Sequence, residues 1–228
     1  MNNPFPNNPT QAACYRQVAV LVVAAVLAIS PLASPALAQS QEDAVRTALN
    51  VCTDLPTEIE PARESLRAGG WVSAEDAAIS ALFNAYVAFN FNADDLQYTF
   101  TNAGFMAASV LGNSALGPDQ VGMELDGYRI AVLGISEGTP YCVLTGPDQL
   151  LTLLERIGFE QTTQQISDVL GQTMGSLPGG HQVAAARFDL AALEPLLMAS
   201  DLPEDRVSQI LSTISPSTVH IAYSEGSE

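Results

Sequence analysis

The chain contains no lysine, and its eight basic residues are all arginines set against 25 acidic ones. No acid occurs before Glu42, so the segment after residue 38 holds every acid and seven of the arginines. Its net charge is about −18 with histidine counted neutral. A polyanion of this kind is repelled by phosphate backbones and anionic membrane surfaces, which excludes nucleic acid as a partner. The acids are scattered rather than massed, so they read as a soluble surface suited to salt. Attraction to cations or basic partners is the competing reading.

Cysteine is almost as scarce: Cys14, Cys52 and Cys142 are the full set, with no CxxC pair among them. Histidine occurs twice, at His181 and His220, far apart and without neighbouring cysteines. These absences leave no zinc-binding spacing and no thiol redox motif, so no metal and no cofactor is expected.

The first 38 residues are nevertheless informative. Arg16 and the amino terminus supply positive charge, Val18 to Ile29 is an uninterrupted apolar run, and Pro31 and Pro35 then break it. Ala36-Leu37-Ala38 places small residues where a signal peptidase reads them, before Gln39. This is the layout of a secretory signal peptide spanning 1–38. A retained anchor would want about 20 apolar residues without prolines in its second half, and no stable membrane span is expected after cleavage. A lipoprotein is not indicated, because Cys14 precedes the apolar run. The 190 residues of 39–228 suffice for one exported domain, periplasmic or secreted. In such a compartment Cys52 and Cys142 are expected to form a disulfide.

The first half of that domain reads as helical. Ser40 and Asp43 make a capping pattern ahead of the stripe Val45, Ala48, Leu49 and Cys52. A short helix follows, entered through Pro61 and stopped by Gly69-Gly70. Ser73 and Asp76 repeat the capping pattern before Ile79, Leu82, Phe83, Tyr86 and Phe89. Another helix spans Asn92 to about Leu111, with Leu96, Phe100, Ala103, Ala107 and Val110 on one side.

The second half changes period. Val121–Leu125 and Tyr128–Leu133, joined by Asp126-Gly127, form a hairpin signal. Tyr141–Thr145 adds a strand carrying Cys142, and a Leu-rich helix runs from Pro147 to Ile157. Thr162–Leu170 is expected to be a further helix. Val183–Phe188 and Thr218–Tyr223 read as strands, separated by helices over Asp189–Ala199 and Pro203–Ile214. The fold class is α+β: a helical lobe over about 40–112, a seam at Gly112–Gln120, and a sheet-containing lobe over about 120–228. The sheet is expected to be mostly antiparallel with helices on one face.

Gly134-Ile135-Ser136-Glu137-Gly138 matches the G-x-S-x-G of serine hydrolases, and Asp189 or Asp201 followed by His220 would complete their order. An elbow needs a helix after the serine, whereas Thr139-Pro140-Tyr141-Cys142 reads as turn and strand, and no HGGG-type loop lies upstream. Ser and Gly in a hairpin connection need no catalysis. No catalytic residue is therefore assigned, and a hydrolase using Ser136 stands as the alternative.

Asn90, Asn92 and Asp94 have the spacing of calcium-loop ligands, but Asp95 stands where glycine is needed and Thr101 where a bidentate glutamate is needed. His220 alternates with Val219 and Ile221, so it points away from that apolar face, toward solvent or a helix edge. Trp71 reads as core. Tyr86, Phe89, Phe91, Tyr98 and Phe100 are dense enough to line a pocket but at this spacing read as core as well. The functional expectation is an exported, non-catalytic protein that binds or scaffolds an unknown small molecule or protein. A carrier would hold an apolar pocket between helices and sheet, and an interaction module would expose an apolar patch.

The signal layout yields a direct prediction. The exported protein should begin at Gln39, and its intact mass measures this. A species that retains Val18–Ile29 would make the segment an anchor.

Overall fold

Apolar residues recurring at helical spacing, then alternating at strand spacing, build two cores on either side of one sheet. The computed structural model describes residues 35–54, 59–110, 120–134 and 141–222. The chain divides into two compact units, 1–38 and 39–228, and the architecture concerns the second. In chain order the elements are α1 (Pro35–Thr53), α2 (Ile59–Ala68), β1 (Val72–Ser73), α3 (Glu75–Asn90), α4 (Leu96–Val110), β2 (Val121–Leu125), β3 (Tyr128–Leu133) and β4 (Tyr141–Gly146). There follow α5 (Gln149–Arg156), β5 (Glu160–Ile166), β6 (Leu170–Ser176), β7 (Gln182–Phe188), α6 (Leu190–Met198), α7 (Glu204–Thr213) and β8 (Ser217–Ala222).

The eight strands form one sheet in the order β1-β2-β3-β4-β8-β7-β6-β5, with every neighbouring pair antiparallel. The α+β class is as the sequence implies. The sheet is two meanders joined at their middle, where β8 returns after two helices and inserts between β4 and β7. The β2–β3 hairpin turns at Asp126-Gly127, whose φ values of 46° and 85° are the left-handed pair that a tight two-residue turn demands.

Helices cover both faces of the sheet, not one. On one face Val45, Ala48, Leu49 and Cys52 of α1, Leu66 of α2, and Leu150 and Leu154 of α5 pack on Ile130, Val132, Leu144, Val219 and Ile221. On the other, α3, α4, α6 and α7 bring Ala81, Val87, Phe100, Leu193 and Ile210 against Ala131, Leu133, Val143, Ala186 and Phe188. An all-antiparallel sheet with alternating inward residues satisfies either arrangement. Strands such as Tyr128–Leu133 decide it, because apolar residues occupy both parities and need cover on both sides. The helices of the first half are accordingly shared between the two faces.

Local signals fare unevenly. Ser40 lies within α1 instead of capping it. Ser73 belongs to β1, paired with Met123, and Ala74 stands at the α3 N-cap without a side-chain bond. Ile79 is exposed, whereas Leu82 and Phe83 are buried as expected, and Ala77, Ala78, Ala81, Val87 and Ala88 make up the rest of the buried stripe of α3. Asp189 does cap α6, its Oδ1 accepting from the backbone N–H groups of Ala191 and Ala192 at 3.0 and 3.1 Å.

The expected helix over Thr162–Leu170 is absent, and the segment supplies β5 and the start of β6. Glu-Gln-Thr-Thr-Gln-Gln-Ile has one apolar residue and therefore no stripe to bury as a helix. As an edge strand it needs only backbone pairing to β6, and all seven of its residues are exposed.

Cys52 and Cys142 form a disulfide with their Cα atoms 5.5 Å apart, tying α1 to the central strand β4 across 90 positions. Trp71 is buried beside this core, and its Nε1 donates to the carbonyl of Ala44 at 3.1 Å.

Two stability predictions arise here. Cys52→Ala should cost about 2–5 kcal/mol in a denaturant melt, because the unfolded chain regains a long loop. Superimposable wild-type melts with and without reductant, or two free thiols in the unreduced unfolded protein, would refute it. In β6, a Cβ at Gly175 would lie 2.1 Å from the Glu160 carbonyl oxygen, whereas one at Gly171 meets nothing within 4 Å. Gly175→Ala should therefore lose about 1–3 kcal/mol, with Gly171→Ala neutral or mildly stabilising in the same melt.

Candidate functional site

Small side chains set the site. Between α3 and α4 on one side and strands β4, β8, β7 and β6 on the other lies a cavity of about 490 Å³. Ala85 of α3, Ala107 of α4 and Ala184 of β7 line it where larger residues would have filled the space. Its volume falls in the range of small-molecule sites, about 300–1,000 Å³. Leu82, Tyr86, Phe89, Tyr141 and Val143 form apolar and aromatic walls, and Met106 and Met174, both exposed, stand on the rim.

Besides the two tyrosines, the polar side chains at the lining are those of Asn90, Gln172 and His220, whereas Thr173, opposite Ala185, turns its side chain to the other face of the sheet. Gln172 Nε2 donates to the carbonyl of Ala88, and Asn90 Nδ2 donates to that of Tyr86 at 3.0 Å. Each amide thereby keeps its oxygen as an acceptor. His220 stands on β8 opposite Ala184 of β7 and Val143 of β4. The Tyr141 ring meets it edge-on at 5.7 Å and the Phe89 ring lies tilted at 6.2 Å. Among the described residues no side chain or backbone group hydrogen-bonds the imidazole. Burial pushes its pKa below the ordinary histidine value, so the ring is neutral at neutral pH with one donor and one acceptor.

Among the described residues, the lining includes no Asp, Glu, Lys or Arg. This contrasts with a larger concavity of about 950 Å³ between α5 and β5–β7, which collects Asp148, Glu155, Asp168, Asp189 and Arg187. There three of the charged groups have structural duties: Asp148 takes Arg187 in a two-pronged pair at 3.1 and 3.0 Å, and Asp189 caps α6. The smaller cavity is the better candidate, since its polar groups converge on an apolar space.

The sequence-predicted residues end in different places. Ser136 lies outside the described residues, as do the turn at Gly138-Thr139-Pro140 and most of the Gly112–Gln120 seam. The strands flanking Ser136 are antiparallel neighbours, with Leu133 opposite Tyr141. His220 does point away from the Val219 and Ile221 face, but into the cavity under α3. Asn92 Oδ1 accepts from the Asp94 N–H at 3.0 Å, and Asp95 Oδ1 accepts from the Tyr98 N–H at 2.9 Å, so these residues shape the turn into α4. No group of three metal-ligating side chains occurs among the described residues.

Of the five aromatics read as core, Phe100 is buried and stacks on Phe83 at 6.2 Å, and Phe91 meets Phe188 edge-on at 6.0 Å. Tyr98 is exposed, and Tyr86 and Phe89 line the cavity. The contributions of Gln172 and Met174 were hidden because β6 was not recognised as a strand. The run Val183-Ala184-Ala185-Ala186 was the available signal of a thinly filled sheet face.

None of the family models, curated proteins and solved structures compared with this chain matches it.

Proposed function

We propose that this chain is an exported, non-catalytic binding protein that carries a small, mainly apolar molecule in the cavity between α3, α4 and the sheet. The observation that supports the reading is the cavity itself: aromatic and aliphatic walls, alanines where bulk is missing, and a few inward polar groups. Export is supported by the secretory layout of residues 1–38 and by the Cys52–Cys142 disulfide. No helix among the described residues is long and apolar enough to cross a membrane.

One observation favours the serine-hydrolase alternative. His220 packs on Tyr141, and Tyr141 is the first described residue after the segment that carries Ser136. Against it, among the described residues no carboxylate lines the cavity to orient the imidazole, and Asp189 is engaged at the α6 N-terminus. The strands on either side of Ser136 pair antiparallel, unlike the strand-to-helix turn of a nucleophile elbow.

The test is a fluorescent uncharged probe, N-phenyl-1-naphthylamine, titrated into the protein. Wild type should bind it in a saturable 1:1 manner, and Ala184→Trp, which fills the cavity floor, should weaken binding at least about tenfold, or 1.4 kcal/mol. A thermal melt of the variant near that of wild type shows that the loss is local. Absence of saturable binding, or binding indifferent to Ala184→Trp, would refute the carrier reading. Fluorophosphonate labelling that disappears in Ser136→Ala would establish the hydrolase instead.

A further inference from the structure

Resting on that reading, we infer that the ligand class is an uncharged, ring-bearing molecule with a single hydroxyl or carbonyl group held by His220, and that acid expels it. The inference starts from what surrounds the imidazole. β4 contributes Tyr141 and Val143, β7 contributes Ala184, α3 contributes Phe89, and β6 and α4 complete the lining, which among the described residues holds no charged group. The other titratable groups of the lining, among the described residues, are the phenols of Tyr86 and Tyr141.

An ionised ligand would therefore enter an apolar space with no opposite charge to meet it. Burying an unpaired charge costs several kcal/mol or forces the group to neutralise, and either outcome selects against acids and amines. A fully apolar ligand meets a different penalty. It would strip water from the ring nitrogens of His220 and from the amide oxygen of half-buried Gln172, leaving them unpaired. A hydroxyl or carbonyl on the ligand restores one of these bonds. The planar-ring preference follows from the walls, since Phe89, Tyr141 and the imidazole already form a continuous ring cluster on which another ring packs edge-on or offset.

The same environment couples occupancy to pH. Burial already disfavours the protonated ring in the free protein. A neutral ligand above it removes more water, so the imidazole of the complex is still harder to protonate. Binding and protonation of His220 thus oppose each other. Affinity is complete above the imidazole pKa of the free protein and falls as the pH drops through and below it.

Two probes that share one skeleton test this. N-phenyl-1-naphthylamine is uncharged with one N–H, and 8-anilinonaphthalene-1-sulfonate adds an anionic sulfonate. Both are titrated at about 1 M salt, where the screening length shrinks to roughly 3 Å and the net charge of the protein no longer discriminates between them. The uncharged probe should bind at least about tenfold more tightly at neutral pH. Its affinity should fall progressively on acidification from neutral pH to the lowest pH at which the fold persists, while the fall is abolished in His220→Gln, which keeps a hydrogen-bonding side chain without a titrating ring. Circular dichroism over the same range verifies that the fold persists. Equal affinities for the two probes would overturn the uncharged class. An acid response that survives in His220→Gln would overturn the role of the histidine. In either case saturable binding of the neutral probe, lost in Ala184→Trp, leaves the carrier reading standing, so the two failures are distinguishable.

Discussion

The pairing of β4 with β8 is the constraint on which both cores and the cavity depend. Six consecutive residue pairs, from Tyr141 with Ala222 to Gly146 with Ser217, join the two meanders into one sheet. Parity along these strands decides what each side chain meets. Cys142, Leu144, Val219 and Ile221 face α1, α2 and α5, while Tyr141, Val143 and His220 face α3 and α4. A slip of one residue in β8 would carry His220 into the core under α1 and turn Val219 and Ile221 to the cavity, since side chains alternate with a period of two. The disulfide holds the β4 side of this arrangement, because Cys142 reaches Cys52 only from the face that α1 covers.

The cavity persists because its roof is fixed at two points. Asn84 of α3 is wholly buried, and its Nδ2 donates to the Thr213 carbonyl at 3.0 Å while its Oδ1 accepts from the Ser215 N–H at 2.7 Å. This ties the helix to the connection between α7 and β8. One turn further along α3, Gln172 on β6 donates to the Ala88 carbonyl. A helix so anchored cannot settle onto Ala184 and close the gap without breaking buried hydrogen bonds, each worth roughly 1 kcal/mol net and more when left unsatisfied. The alanines that line the gap thus remain unfilled space instead of drawing the layers together. The site is preformed, which lowers the ordering cost of any ligand it receives.

Much of this was legible in the residues. Val45, Ala48, Leu49 and Cys52 announced the buried stripe of α1, Asp126-Gly127 fixed the β2–β3 hairpin, and Asp189 marked the start of α6. What sequence reasoning could not supply was the arrangement of layers. Alternation in β3 shows that both faces are apolar, yet which helices cover which face is a tertiary outcome with no local signature. The cavity was hidden for the same reason. Tyr86 and Phe89 have the spacing of core residues, and only the absence of bulk opposite them at Ala184 and Ala107 makes them walls. His220 was read correctly for parity and wrongly for environment, because nothing near it in sequence reveals that α3 passes overhead.

The one misassigned element has a physical meaning of its own. β5 defeats a pattern reading because Ile166 is its single apolar residue, and it is polar because it ends the sheet. An apolar edge strand of seven residues would present a ready template to another chain. Glu160, the glutamines and the paired threonines instead leave an exposed strand with little apolar surface to bury in such a contact. The net charge of about −18 carried by residues 39–228 adds repulsion between copies at the distances where edges would meet, by an amount that salt reduces. Among the described residues, that charge is absent from the cavity lining. The outside therefore resists association through charge and a polar edge, while the inside keeps an uncharged apolar space that those same groups would have spoiled.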